Sequence, residues 1–179
     1  MAPYLFFGMA TLLLSEAVPV LERTPQVLRA QLAGLPRPWL DDNDGDGTWS
    51  PGQVVAHLVE AEHDLWIPRM RAILGGAAFP PFDRVGSVRN WGKEPLDALL
   101  DEFARRRAAS LRDFAAIKPT DADLARVGKH PEFGTVTLSQ LLSTWTAHDL
   151  IHLAQITRTM ARRYKDAVGP WKAYIRTLQ

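Results

Sequence analysis

Two histidines, His148 and His152, stand four residues apart in "TAHDLIHLAQI". On a helix, positions i and i+4 lie one above the other on a single face. Neutral imidazoles in that relation can ligate one divalent ion, as they do in zinc-binding helices. An HxxxH pair is a weak motif by itself, so the surroundings matter. His57, in "SPGQVVAHLVEAEH", sits at the edge of an apolar stripe made by Val54, Leu58, Ala61 and Leu65 at about 100° per residue. It faces inward, while His63, six residues on, turns toward solvent. A lone inward histidine is more often held by a hydrogen bond than by a metal. Asp149 falls on the apolar side of the HxxxH helix, where an unpaired carboxylate is costly. Two readings explain it: a carboxylate that orients imidazoles and balances a metal's charge, or an ion pair with an arginine of another helix. Gln155, one turn beyond His152, either lines the same cavity or bonds a loop.

Composition removes several alternatives. The 179 residues contain no cysteine, which excludes disulfides, thiolate zinc sites and a cysteine nucleophile. Any reactive thiol must come with a cosubstrate. Twenty-one basic and 20 acidic side chains give a net charge of +1, so nothing draws the chain toward nucleic acid or an anionic membrane. With 46% hydrophobic and 23% charged residues, the chain reads as an ordinary globular protein of the cytoplasm. The apolar start, "MAPYLFFGMATLLLSEA", is too short to span a bilayer and lacks the basic region of a signal peptide. Residues 1–14 read as an extension or as the start of the first helix, with a start at Met9 or a weak export signal as alternatives.

Four helical segments must position these residues. The first is expected over 15–32, with Pro19 and Pro25 breaking or restarting it and Thr24–Pro25 forming an N-cap and first turn. The second runs over 51–74, with a kink or break before Pro68. The third covers 95–117; Leu96, Leu99, Leu100, Phe103, Leu111 and Phe114 supply its apolar face, and the arginines of "ARRRAASLR" form a solvated one. The fourth covers 138–164, with Leu138, Leu141, Leu142, Trp145, Ile156 and Met160 inward. Trp171, Tyr174, Ile175 and Leu178 predict a short closing helix. No strand is expected, since Val85–Val88 and Val136 are too short. The connections 75–94 and 118–136 are long for an up-down bundle, which suggests crossovers or lids.

The stretch "DDNDGDGTWSPGQ" allows two readings. As a calcium loop it places Asp42, Asp44 and Asp46 at positions 1, 3 and 5 and Gly47 at 6, but position 12 is Gln53, which cannot give a bidentate carboxylate. As a helix start it fits throughout: Ser50 N-cap, Pro51 at N1, Gln53 closing a capping box, and Trp49 stapling onto Val54. The aspartates then form a solvated turn near the positive helix end. Thr137 and Gln140 form a second box, with Val136 stapling onto Leu141. Both histidine-bearing helices thus have fixed starts.

"TWSPGQVVAHLVEAEHDLW" together with "GTVTLSQLLSTWTAHDLIHLAQI" resembles the DinB-like, or YfiT-like, superfamily of four-helix-bundle metalloenzymes, from about Val20 to the C-terminus. Its pattern of one histidine on the second helix and H-x-x-x-H on the fourth matches His57, His148 and His152, and Gln155 and Glu62 match common positions. The resemblance implies an all-α four-helix bundle with crossover loops in residues 15–179. It also implies a mononuclear three-histidine site completed by waters. Zinc suits three imidazoles; nickel, iron and manganese are compatible with them. Relatives of known chemistry use low-molecular-weight thiols, which implies thiol transfer, with hydrolysis or a non-catalytic metal-stabilised binding protein as the alternatives. For the hydrolytic version Glu62 is the candidate proton carrier, and Trp91 and Trp145 are the expected substrate-pocket residues. The expected partners are a small-molecule substrate and a second copy of the chain, with neither nucleic acid nor membrane. A di-iron bundle would instead use Glu60 with His63 and a further E-x-x-H; the nearest match is Asp149 with His152, and this choice abandons the inward His57.

Overall fold

The computed structural model describes residues 14–83 and 86–178, so the expectations for residues 1–13 fall outside the described residues. Four long helical stretches form a bundle: α1 (Leu14–Leu32), α3 (Pro51–Asp64) continued by α4 (Trp66–Gly75), α6 (Leu96–Ile117) and α8 (Leu138–Arg162). Short helices α2 (Pro38–Asp41), α5 (Gly86–Trp91) and α7 (Asp121–Leu124) lie in the connections. Both α1 and α3 pack on α6 and on α8. The first two long stretches therefore occupy opposite corners, as do α6 and α8, so that connections 33–50 and 118–137 are crossovers while 75–94 joins neighbouring helices. No helix among the described residues is long and apolar enough to cross a membrane.

The expected interruption of the first helix is absent. α1 runs through Pro19 and Pro25, and Thr24 is not an N-cap: its hydroxyl donates to the Val20 carbonyl at 3.1 Å. A proline inside a helix has no N–H to offer the carbonyl four residues back. For Pro25 that carbonyl is Leu21, and Arg107 Nη1 of α6 donates to it at 2.7 Å. A neighbouring helix supplies the bond that the proline withholds, and with it α1 stays continuous. The second helix does break ahead of Pro68, at Leu65 (φ −106°, ψ −64°).

Two other expectations need correction. The 118–136 connection contains a hairpin, β1 (Val127–His130) paired antiparallel with β2 (Gly134–Thr137). Four-residue strands, half exposed and half partly buried, are too short for a pattern to read, and the hairpin is held against α4 and α8 instead. The tail forms two 3-10 turns, Gly169–Tyr174 and Arg176–Leu178, rather than one amphipathic helix. Trp171 and Tyr174 are exposed and only Leu178 is buried. A glycine and a proline open the first turn, and its three-residue period breaks the 3.6-residue stripe.

The aspartate-rich stretch is a turn, as the cap reading requires, but not a merely solvated one. Asp44 pairs with Arg162 and Asp42 with Arg163. The turn thereby ties the C-terminal end of α8 to the segment that leads into α3. Carboxylates meet arginines there at the negative end of a helix, the favourable sign for the arginines.

Candidate metal centre

Each histidine helix begins at a reciprocal cap. Ser50 N–H donates to Gln53 Oε1 at 2.9 Å and Gln53 N–H to Ser50 Oγ at 3.3 Å. At α8, Thr137 N–H donates to Gln140 Oε1 at 2.8 Å and Gln140 N–H to Thr137 Oγ1 at 3.1 Å. These boxes fix where each helix starts, and hence which face each histidine presents.

α3 and α8 pack together and bring the three histidines to one point. His57 is 3% exposed, and His148 and His152 are half-buried. His57 Nε2 lies 3.0 Å from His148 Nε2, which lies 3.1 Å from His152 Nε2. One ligand atom from each residue falls within a set spanning at most 4.8 Å. With metal–nitrogen bonds of about 2.1 Å, neighbouring nitrogens sit about 3.0 Å apart on an octahedral face and about 3.4 Å apart on a tetrahedron. The observed separations match a ligand set around one ion. Gln155 Oε1 lies 2.8 Å from His152 Nδ1. A carbonyl oxygen only accepts, so Nδ1 carries the proton and Nε2 is left as the donor atom.

Aromatic rings wall the cluster. Trp49 lies 4.9 Å from His57 between ring centroids, Phe82 lies 6.1 Å from it, and Trp66 lies 5.1 Å from His148. Phe82 brings the 75–94 connection to the site. The sequence marks Trp49 only as a staple and passes over Phe82 and Trp66. A run of aromatics at the loop–helix junctions was the available signal.

Beside the histidines lies a buried ionic network. Arg107, 1% exposed, grips Asp149 with two hydrogen bonds, Nη1 to Oδ2 at 2.6 Å and Nη2 to Oδ1 at 2.9 Å. It also donates to Glu62 Oε1 at 2.8 Å, which Trp145 Nε1 reaches at 2.8 Å as well. Burial alone would lower the Arg107 pKa, but the Glu62 and Asp149 carboxylates outweigh it and hold the pKa above the ordinary arginine value. Two carboxylates, one from each histidine-bearing helix, face one guanidinium from α6, a formal excess of one negative charge in the network beside the histidines. That excess favours a cation at the adjoining histidines.

Several sequence expectations change here. Of the two readings of Asp149, the arginine partner is the one the structure shows. Arg107 belongs to the core, not to a solvated face; its spacing from Phe103 (i+4) and Phe114 (i−7) is the signal that would have found it. Trp145 is 1% exposed, stacks on Trp66 at 5.9 Å and caps Glu62, so it braces the centre rather than lining an open pocket. Trp91 donates to Glu60 Oε2 at 2.6 Å under the Arg106 guanidinium, and Asn90 donates to Glu60 Oε1 at 2.9 Å. Trp91 thus anchors α5 to α3. Glu60 is thereby occupied, and the largely exposed His63 pairs with its neighbour Asp64. The di-iron arrangement is not assembled.

A family model described as the DinB superfamily matches residues 20–156. The chain is 26% identical over 161 residues to a "putative metal-dependent hydrolase" of Oceanobacillus iheyensis, covering 85% of this chain and 88% of that protein. Among solved structures it is similar to YfiT from Bacillus subtilis, described as "a probable metal-dependent hydrolase with an unusual four-helix bundle topology". That likeness has a TM-score of 0.74 at 23% identity and covers 91% of this chain and 93% of YfiT. It is also similar to the four-helix bundle protein TT2238, with a TM-score of 0.57 at 24% identity over 80% of this chain and 97% of that one.

Proposed function

The chain belongs to the DinB superfamily, and from that premise we propose that it is a metal-dependent hydrolase whose single divalent ion is held by His57, His148 and His152. The observation that carries this reading is the convergence of three Nε2 atoms at separations of 3.0 and 3.1 Å, on a scaffold whose neighbouring charge excess is negative. Three protein ligands leave coordination positions open, which is the mark of a catalytic rather than a structural site. A bound ion supplies Lewis acidity that activates water, or a thiol, at neutral pH. Zinc is the first choice for three imidazoles, with nickel, iron and manganese next.

The chain's own residues have distinct tasks. Gln155 holds His152 in the ligating tautomer. Trp49, Phe82 and Trp66 exclude bulk water and offer an apolar wall to a small substrate. Arg107 fixes Asp149 and Glu62 as charges beside the centre. Glu62 Oε2 is buried and accepts no hydrogen bond among the described residues, so this oxygen keeps a lone pair for a proton in transit. Transfer to a thiol uses the same ligands with bacillithiol, mycothiol or glutathione in place of water, the thiol being external because the chain has no cysteine.

The test begins with metal analysis of protein purified without a metal column. About one divalent ion per chain is expected, lost in His57→Ala, His148→Ala and His152→Ala and retained in His63→Ala. The metal-loaded protein is then given ester, amide and epoxide substrates with and without each thiol. Turnover without thiol that vanishes in His148→Ala supports hydrolysis; a conjugate that needs both thiol and metal supports transfer. Full metal retention in His57→Ala overturns the site.

A further inference from the structure

Among the described residues, Arg69 has a feature that no other buried charge shares. It is 8% exposed, yet among the described residues its guanidinium makes neither a hydrogen bond nor an ion pair, and Nε is wholly buried without a partner. Its one close contact is the face of Phe79, 5.2 Å from the guanidinium carbon to the ring centroid. A buried guanidinium without an anion is costly. Burial accordingly lowers the Arg69 pKa, with Glu132 opposing the shift. Glu132 itself is exposed and forms no ion pair among the described residues.

His130 lies on the same ring, 6.2 Å from Phe79 between centroids and at 88° to it. Its Nδ1 accepts from the backbone N–H groups of Glu132 and Phe133 at 3.1 and 3.3 Å. An imidazole nitrogen that accepts twice carries no proton, so the proton of the neutral ring is on Nε2, which becomes a donor. Burial, and then the Arg69 charge, lower the His130 pKa and keep it neutral. Phe133, 74% exposed, stacks on His130 at 4.5 Å. The hairpin is fitted to Phe79 at Gly128, where a Cβ would come within 2.5 Å of the Phe79 ring and 2.8 Å of Ile73. The Phe79 ring is therefore clamped between the hairpin and α4. Two donors, Arg69 and His130 Nε2–H, flank it without a hydrogen-bonded acceptor among the described residues, and the exposed Glu132 acts on Arg69 only through space.

We propose that Arg69 and the Nε2–H of His130 form a binding site for the carboxylate of a small aromatic acid, with Phe79 and Phe133 contacting its ring. Guanidinium and carboxylate match in charge and in planar geometry, and the exposed Phe133 gives the acid's ring a face to stack on. Trp66, one turn before Arg69 on α4, touches His148, so the site stands beside the metal centre. As a statement of substrate class the proposal rests on the hydrolase reading; as a binding site it does not.

Benzoate is the probe, with benzamide as its neutral isostere, titrated by calorimetry and by ligand-observed NMR on metal-free and metal-loaded full-length protein. Saturable benzoate binding is expected, at least about tenfold tighter than benzamide. It should be lost in Arg69→Met, weakened in His130→Ala and unchanged in His57→Ala. That last variant removes a metal ligand, so binding there together with absent hydrolysis separates this site from the catalytic reading. No saturable binding by folded wild type at 10 mM on the order of weak-ligand affinities, equal affinity for benzamide, or unchanged binding in Arg69→Met overturns the proposal. If Arg69→Met does not fold, His130→Ala decides: unchanged affinity there overturns it.

Discussion

Replacing Arg107 with methionine should be among the most damaging single changes available to this protein. Methionine keeps much of the aliphatic volume but removes the hydrogen bonds to Asp149, Glu62 and the Leu21 carbonyl. Breaking a buried pair by removing one partner costs about 3–5 kcal/mol, because the other charge stays uncompensated. The Leu21 carbonyl, already deprived of an amide by Pro25, adds about 1–3 kcal/mol as a buried orphan. The combined loss of about 4–8 kcal/mol is a large part of the roughly 5–15 kcal/mol that holds a domain together. At about 2–4 °C per kcal/mol for a chain of this size, the melting temperature should fall by about 8–32 °C. Urea unfolding of the metal-free protein, followed by tryptophan fluorescence and circular dichroism, measures it. The triple variant Arg107→Met, Glu62→Gln, Asp149→Asn should recover at least half of the loss, since it removes the stranded charges together with their partner. A loss under about 1 kcal/mol in the single variant, the range of a surface ion pair, would refute the argument. Equal losses in the single and triple variants would place the cost in packing instead of charge.

Three further outcomes are expected. Gln155→Ala should weaken metal binding by about 10–100-fold, measured by competition with a chromophoric chelator; unchanged affinity would mean that His152 is oriented by something else. Hydrogen bonding from Arg105, opposed by partial burial and aided by Arg106, holds the Glu102 carboxyl at about 2 against an ordinary 4.5. A depressed carboxylate pKa stabilises the fold above the ordinary value and ceases to do so as pH falls through the depressed one. Glu102→Gln should therefore cost at most about 1 kcal/mol at pH 7, and the gap to wild type should close between pH 4.5 and 2; a gap constant with pH would contradict the assignment. Millimolar calcium should leave the melting temperature unchanged, because Asp42 and Asp44 are engaged by Arg163 and Arg162 and Gln53 closes a cap; a rise of several degrees that disappears in Asp44→Ala would restore the calcium-loop reading.

Features whose cause is local can be read from the residues alone. Ser50 with Gln53 and Thr137 with Gln140 start helices through bonds three residues apart, so the histidine helices, their phase and the inward face of His57, His148 and His152 were legible before any packing was known. The break ahead of Pro68 was legible for the same reason, since it follows from one missing N–H. Tertiary structure decided whatever depends on a partner distant in the chain. Pro25 ends no helix because Arg107, 82 positions away in the numbering of the two residues, reaches the carbonyl that it leaves free. Asp149 became an ion pair because α6 places that same arginine against it, and Trp91 became an anchor because Glu60 of α3 meets its indole. The sequence shows which polar side chains face inward, and a buried polar group must find a partner. Which partner it finds depends on how the helices are arranged around one another, and that arrangement fixes the charge beside the three histidines.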